Sequence, residues 1–262
     1  MLKNRLIPVL LIKDGYLVRS EGFHMHQILG NPIHEVERFN HWNVDELIYL
    51  DISEDNTYDE QRNDTRVKSS EDILKVIQEV SKTCFMPLSV GGGIRTIHDI
   101  RERLKRGADK VVINTAAYTN PKLITEAANK FGSQCIIISV DVRKNIKGEY
   151  ETYYNHGREA TGIHPIEYIK QVEALGCGEI FLHMIDRDGT AEGYDLELIK
   201  LVTESTSLPI IACGGVGKLT DFAEGVLVGE ASAVSAANIF HFIELSDRRA
   251  KKIMKQAGVN IR

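Results

Sequence analysis

Pro87-Leu88-Ser89-Val90-Gly91-Gly92-Gly93-Ile94 returns about half a chain later as Pro209-Ile210-Ile211-Ala212-Cys213-Gly214-Gly215-Val216. Each stretch is a short apolar run that opens on proline and closes on glycines, the pattern of a buried strand feeding a tight turn. Two more pairs lie at comparable spacing. Val44-Asp45-Glu46-Leu47-Ile48-Tyr49-Leu50-Asp51 matches Gly178-Glu179-Ile180-Phe181-Leu182-His183-Met184, and Ile7-Pro8-Val9-Leu10-Leu11-Ile12-Lys13-Asp14-Gly15 matches Ile137-Ile138-Ser139-Val140-Asp141-Val142-Arg143-Lys144. The chain therefore reads as two half-repeats, about 1–131 and 132–262, with no linker between them.

Working outward, apolar runs predict strands at 6–12, 46–50, 86–90, 110–113, 135–140, 179–182, 209–212 and 233–235. They are continuously apolar rather than alternating, as strands covered on both faces are. Helix signals fill the gaps. Asn31-Pro32 and Asn120-Pro121 place a capping side chain before a proline. Ser69-Ser70-Glu71-Asp72 and Thr96-Ile97-His98-Asp99 resemble capping boxes, with aspartate in place of glutamate. Gly107, Gly132 and Gly176 stand where helices should stop. Eight strand–helix units predict an α/β fold, a (β/α)8 TIM barrel forming a single domain over 1–262, with an open doubly wound sheet as the alternative.

The 262 residues are 43% hydrophobic and 26% charged, ordinary for a globular protein, and the net charge of -5 argues against general nucleic-acid binding. Four scattered cysteines without CxxC spacing fit reduced core thiols of a cytoplasmic protein. No signal-peptide pattern is present, and the early apolar run is too short to span a bilayer, so no membrane partner is expected. His24-Met25-His26 has a spacing that suits a metal, but no third ligand stands out; no metal or cofactor is expected, and a flexible loop is the expected form.

Gly91-Gly92-Gly93 and Gly214-Gly215 each follow a strand and precede a helix, where backbone N–H groups converge on an oxyanion. Two such clusters half a barrel apart predict a phosphorylated small molecule, an elongated bisphosphate held at opposite rims. Asn114-Thr115 after the fourth strand and Asn238 after the eighth offer hydrogen-bond donors. Asp188, in Asp186-Arg187-Asp188-Gly189-Thr190, is a candidate acid or base, or a positioner of a hydroxyl. Arg5, Glu46, Lys110 and Glu179 begin their strands; any one of them reads as an ordinary solvated strand end, and two acids and two bases together have the charges for a closed ring of ion pairs across the barrel bottom. Where the fifth strand ends on Asp141, the first has Leu11, so a site with room for two acids has one. Residues 53–66 form a polar, aperiodic stretch, expected as a solvated loop, or as a lid or docking surface.

These residues resemble, over essentially the whole chain, the cyclase subunit (HisF) of imidazole glycerol phosphate synthase. The resemblance rests on Arg5-Leu6-Ile7-Pro8, Lys13-Asp14-Gly15, Asp45-Glu46-Leu47, Val90-Gly91-Gly92-Gly93-Ile94, Gly107-Ala108-Asp109-Lys110, Ile113-Asn114-Thr115-Ala116-Ala117, Phe131-Gly132-Ser133-Gln134, Ile185-Asp186-Arg187-Asp188-Gly189-Thr190 and Phe240-His241-Phe242. It implies a barrel that binds a glutaminase subunit at its bottom and passes ammonia through its bore. At the top, two aspartates close an imidazole ring from a bisphosphorylated nucleotide, a lyase reaction of histidine biosynthesis. Carried over, it assigns Asp141 to the second catalytic acid and Gly92, Gly93, Asn114, Thr115, Gly189, Gly214, Gly215 and Asn238 to phosphate regions. Arg5, Glu46, Lys110 and Glu179 take the ammonia gate, and Asp109 the glutaminase interface.

The departures lie at the top. Leu11 replaces the first catalytic aspartate, Arg19 stands for a lysine of the mobile first loop, Asn238 for a serine, and His183-Met184 for a hydroxyl pair. The loop after strand two is longer. Leucine transfers no proton. The chain is similar to a branch found with surface-polysaccharide genes, which implies a barrel that delivers ammonia to a separate sugar amidotransferase for an acetamidino sugar, with cyclase chemistry impaired. An active cyclase, and an unrelated phosphosugar isomerase on the same barrel, are the other readings.

Overall fold

Nine residues from Arg5 to Lys13 form the first strand, and seven in a row, from Leu6 to Ile12, are buried. Such a run is stable only with apolar cover on both faces. The computed structural model, which describes residues 3–42, 44–54, 58 and 72–262, supplies that cover with a closed barrel. Its strands are β1 (Arg5–Lys13), β2 (Leu47–Asp51), β3 (Leu88–Gly91), β4 (Lys110–Ile113), β5 (Ile136–Lys144), β6 (Glu179–Met184), β7 (Ile210–Cys213) and β8 (Ala233–Ala236). All eight neighbours pair in parallel, including β8 with β1 and β5 with β6, so the barrel has no open edge. The open-sheet alternative is thereby excluded.

Two hydrophobic layers hold the barrel. Leu6, Leu10, Ile12 and their equivalents meet the helices outside. Ile7, Val9, Leu11, Ile48, Val112, Ile137, Phe181 and Ile211 pack together inside. The helix Ile73–Thr83 buries Ile73, Val76, Ile77 and Val80 along one stripe. Thr96 and Asp99 make the reciprocal capping box ahead of Ile97–Lys105.

Two cap assignments change. Asp72 is itself the N-cap, its side chain accepting from the Lys75 N–H at 2.7 Å, while Ser69, Ser70 and Glu71 lie outside the described residues. Asn120 closes the short helix Thr115–Thr119 instead of opening the next one, which starts without a side-chain cap.

The larger difference is a pair of antiparallel ribbons rising from the barrel mouth. Asp14 and Gly15 have φ of 51° and 79°, the left-handed pair that a two-residue hairpin turn requires. They turn β1 back into Tyr16–Glu21, which pairs with Met25–Gly30. His26 thus stands in a strand rather than the expected flexible loop. On the far side β5 continues past Asp141 to Lys144 and returns as Tyr150–Tyr154 against Glu159–Ala160. Of residues 53–66, only Ser53, Glu54 and Tyr58 fall among the described residues. No helix among the described residues is long and apolar enough to cross a membrane.

Candidate functional site

At the N-terminal ends of the strands the four charged residues close a ring. Arg5 donates to Glu46 Oε1 at 2.9 Å and to Glu179 Oε1 at 2.5 Å. Lys110 Nζ lies 3.4 Å from Glu46 Oε2 and 2.9 Å from Glu179 Oε2. Each carboxylate gives one oxygen to each cation. Burial works against the charge on Arg5, but the two carboxylates outweigh it and its pKa is raised. Asp109, exposed beside the ring, accepts the Leu88 N–H at 2.8 Å and so fixes the start of β3.

At the C-terminal ends a cavity of about 390 Å³ opens. Strand alternation points Leu11, Asn114, Asp141 and His183 toward it, and all four line it. Asp141 is 6% exposed and accepts from Ser139 Oγ at 2.9 Å. Burial pushes its carboxyl up, against the pull of His183 and Ser139, and the net shift is upward. Leu11 is buried among Val9, Tyr16 and Val18. Nothing titratable replaces it on β1 at this level.

Gly92 and Gly93 line the same cavity. A Cβ on Gly92, whose φ is 100°, would sit 2.1 Å from the Asp51 carbonyl oxygen, so only glycine lets the turn close against β2. Arg103, almost fully buried, braces that turn by donating to the Gly92 carbonyl at 2.7 Å. Asn114 Nδ2 donates to the Ser139 carbonyl at 3.1 Å, and Thr115 Oγ1 accepts the Asn155 N–H at 3.2 Å. Lys13, His26, His156 and Arg158 surround the opening. Burial, reinforced by neighbouring cations, lowers both histidines. Lys13 and the Arg158–Glu54 ion pair bring charge to the rim, and burial raises the pKa of the carboxyl on the floor.

Gly189, Gly214, Gly215, Asn238 and Arg19 lie outside the cavity lining. The first ribbon, which carries Arg19, is seated over Gly189 and Asn238. Asn238 Nδ2 donates to the Ser20 carbonyl at 2.7 Å, the Gly189 Cα faces Glu21, and Arg19 lies 5.8 Å from the centre of the Phe242 ring. Asp188 holds the ribbon down: its Oδ2 accepts from Ser20 Oγ at 3.0 Å and from the Phe23 N–H at 3.2 Å. Burial raises this carboxyl, but His183, Phe23 and Ser20 outweigh it and the net shift is downward. In this arrangement Asp188 is a latch rather than a free acid. The structure therefore places Gly92, Gly93, Asn114 and Thr115 on one cavity with Asp141 and Leu11, and Gly189, Gly214, Gly215 and Asn238 outside its lining.

Sequence reasoning passed over Asp51. It ends β2, buried, and accepts from the Ser53 N–H at 3.0 Å, Ser53 Oγ at 2.6 Å and Tyr58 OH at 2.9 Å. Burial raises its pKa despite these donors. The available signal was its place at the end of a strand, the same place Asp141 holds.

A closed ring of eight parallel strands, with glycine turns and a buried carboxyl at its mouth, defines a (β/α)8 barrel. The comparison with family models is specific: the chain belongs to the histidine biosynthesis protein family, whose model matches residues 5–246.

Proposed function

We propose that this barrel conducts ammonia rather than closing an imidazole ring. A glutaminase subunit seats on the bottom face around Asp109, and ammonia passes the ring of Arg5, Glu46, Lys110 and Glu179 and leaves at the mouth. There a separate sugar amidotransferase uses it to amidinate a surface-polysaccharide sugar. The observation that carries this reading is the contrast between the two ends. The bottom ring is complete, with four ion pairs, while Leu11 fills with carbon the place where ring closure needs a second acid. Loss of one partner of an acid–base pair costs a factor of about 10²–10⁴.

A second reading, an active cyclase of histidine biosynthesis, draws on the cradle of Gly92, Gly93, Asn114 and Thr115 beside Asp141. Turnover decides between them. The purified chain is given the bisphosphorylated nucleotide with excess ammonium salt, which bypasses any glutaminase, with Leu11→Asp run in parallel. The conduit reading expects no imidazole product from the unaltered chain and some from Leu11→Asp. Robust product from the unaltered chain overturns it.

A further inference from the structure

His183 has a position that neither the conduit nor the cyclase reading uses. In the register of β5 and β6, His183 is the direct partner of Asp141. Parallel neighbours in register point the same way, so both side chains face the barrel interior at one level, and both line the mouth cavity. The ring is held edge-on by Phe23, at 4.7 Å between centroids, and by Phe181 at 5.7 Å. It is thus fixed in orientation and 8% exposed. Its Nε2 is buried and has no hydrogen-bond partner among the described residues. The nearest carboxylate oxygen, Asp188 Oδ1, is 3.8 Å away, a distance at which charge attraction acts but a hydrogen bond does not form. A buried imidazole nitrogen left unsatisfied is costly, and such groups concentrate where a ligand completes them.

We propose that His183 and Asp141 form an acid–base pair acting on an anionic small molecule held at Gly92 and Gly93, in a proton transfer other than imidazole ring closure, which goes beyond the conduit reading and leaves it intact. In one half of the exchange, a substrate N–H or O–H gives its proton to Nε2, forming an imidazolium that Asp188 stabilises. In the other, Asp141, when it carries a proton, delivers it to a substrate oxygen or nitrogen. The count closes when the imidazolium releases its proton to solvent and the Asp141 carboxylate takes one up, since the two groups share no hydrogen bond. The titratable neighbours of His183 are Asp141 on β5, Cys213 on β7 and Asp188 behind β6, with His26 and Lys13 on the same cavity. Burial pushes the Cys213 thiol up to about 12, so it stays neutral and outside the exchange.

The test is an imidazole ¹⁵N titration of the uniformly labelled chain, with the His183 signal assigned by His183→Gln. The proposal expects Asp141→Asn to move the His183 signal's titration, because the Asp141 carboxyl and the imidazole interact electrostatically across the cavity. Asp188→Asn, which cuts the latch but leaves the pair, is expected to lower the midpoint while keeping the response to Asp141→Asn. A midpoint that is the same with and without the Asp141 charge, in either background, overturns the proposal. The titration uses no ammonia, glutaminase or nucleotide, so its failure is distinguishable from failure of the conduit reading.

Discussion

Arg5 and Lys110 stand on strands that are not neighbours, yet they are held by the same two carboxylates, Glu46 and Glu179. The acid side chains are 7% and 6% exposed and the cations 15% and 21%. The four groups are therefore shielded enough for loss of one member to leave unbalanced charge. Glu179→Gln is expected to lower unfolding stability by roughly 1–3 kcal/mol, below the range for fully buried pairs because both cations keep some water. Urea denaturation reads the loss. Adding Lys110→Met to Glu179→Gln should recover part of it; a strictly additive double variant would show that the ring is not coupled.

Leu11→Asp, whatever it does to turnover, places a carboxylate among Val9, Tyr16 and Val18. Burial raises the pKa of such a group, so its folded form prefers the proton. The variant should be less stable than the parent by roughly 2–4 kcal/mol at pH 8, and by clearly less at pH 5. Thermal melts at the two pH values check the sign: a penalty that grows on acidification would mean that the new carboxylate has found a donor.

The Asp188 latch predicts how the first ribbon moves. Ser20→Ala removes one of its bonds, and amides within 16–30 should exchange with deuterium about fivefold faster, the equivalent of ~1 kcal/mol. Asp188 is held below its ordinary value, so the stability it contributes is present above the ordinary carboxylate pKa and is lost as pH falls through the lowered one. Ribbon protection that is unchanged in Ser20→Ala would show that the seat is held by Asn238 and Phe23 alone.

Asp247 gives the opposite slope. It is 0% exposed in the first turn of the helix Ser246–Gln256, and neither carboxylate oxygen has a side-chain partner among the described residues. Burial pushes it up to about 6, with the helix amides and the charges of Lys251 and Arg248 limiting the rise. The stability tied to this group is present below the unfolded value of about 4 and lost as pH rises through the folded one. Asp247→Asn should therefore be stabilised relative to the parent at pH 8 by about 1–2 kcal/mol, with the difference gone near pH 4. Melting curves across that window decide it.

The barrel was legible because each strand carries a short, mostly apolar stretch; β4 begins and ends where residues 110–113 predict, whereas β5 runs on past its apolar part to Lys144. The ring was legible as four charges at four strand starts, since strand starts share one end of a parallel barrel. The ribbons were not, although Asp14-Gly15 between apolar residues is a hairpin signal in its own right; read as a strand end plus polar loop, Lys13-Asp14-Gly15 hides the return strand. The pairing of His183 with Asp141 depends on register between strands far apart in the chain, which a single sequence does not carry. The seating of the ribbon over Gly189 and Asn238 likewise depends on contacts made only in three dimensions, and Asp51 was hidden by the long polar stretch that follows it.

Glu46 and Glu179 hold matching places in the two halves of the repeat, whereas the counterparts of Arg5 and Lys110 are the uncharged Cys135 and Ala233. The acids obey the half-turn symmetry of the barrel and the cations break it, both belonging to the first half. A symmetric base would offer an incoming body two equivalent seats, half a revolution apart. This base repeats its charges only once per full turn, so a body that read all four charges would find a single match around the barrel axis.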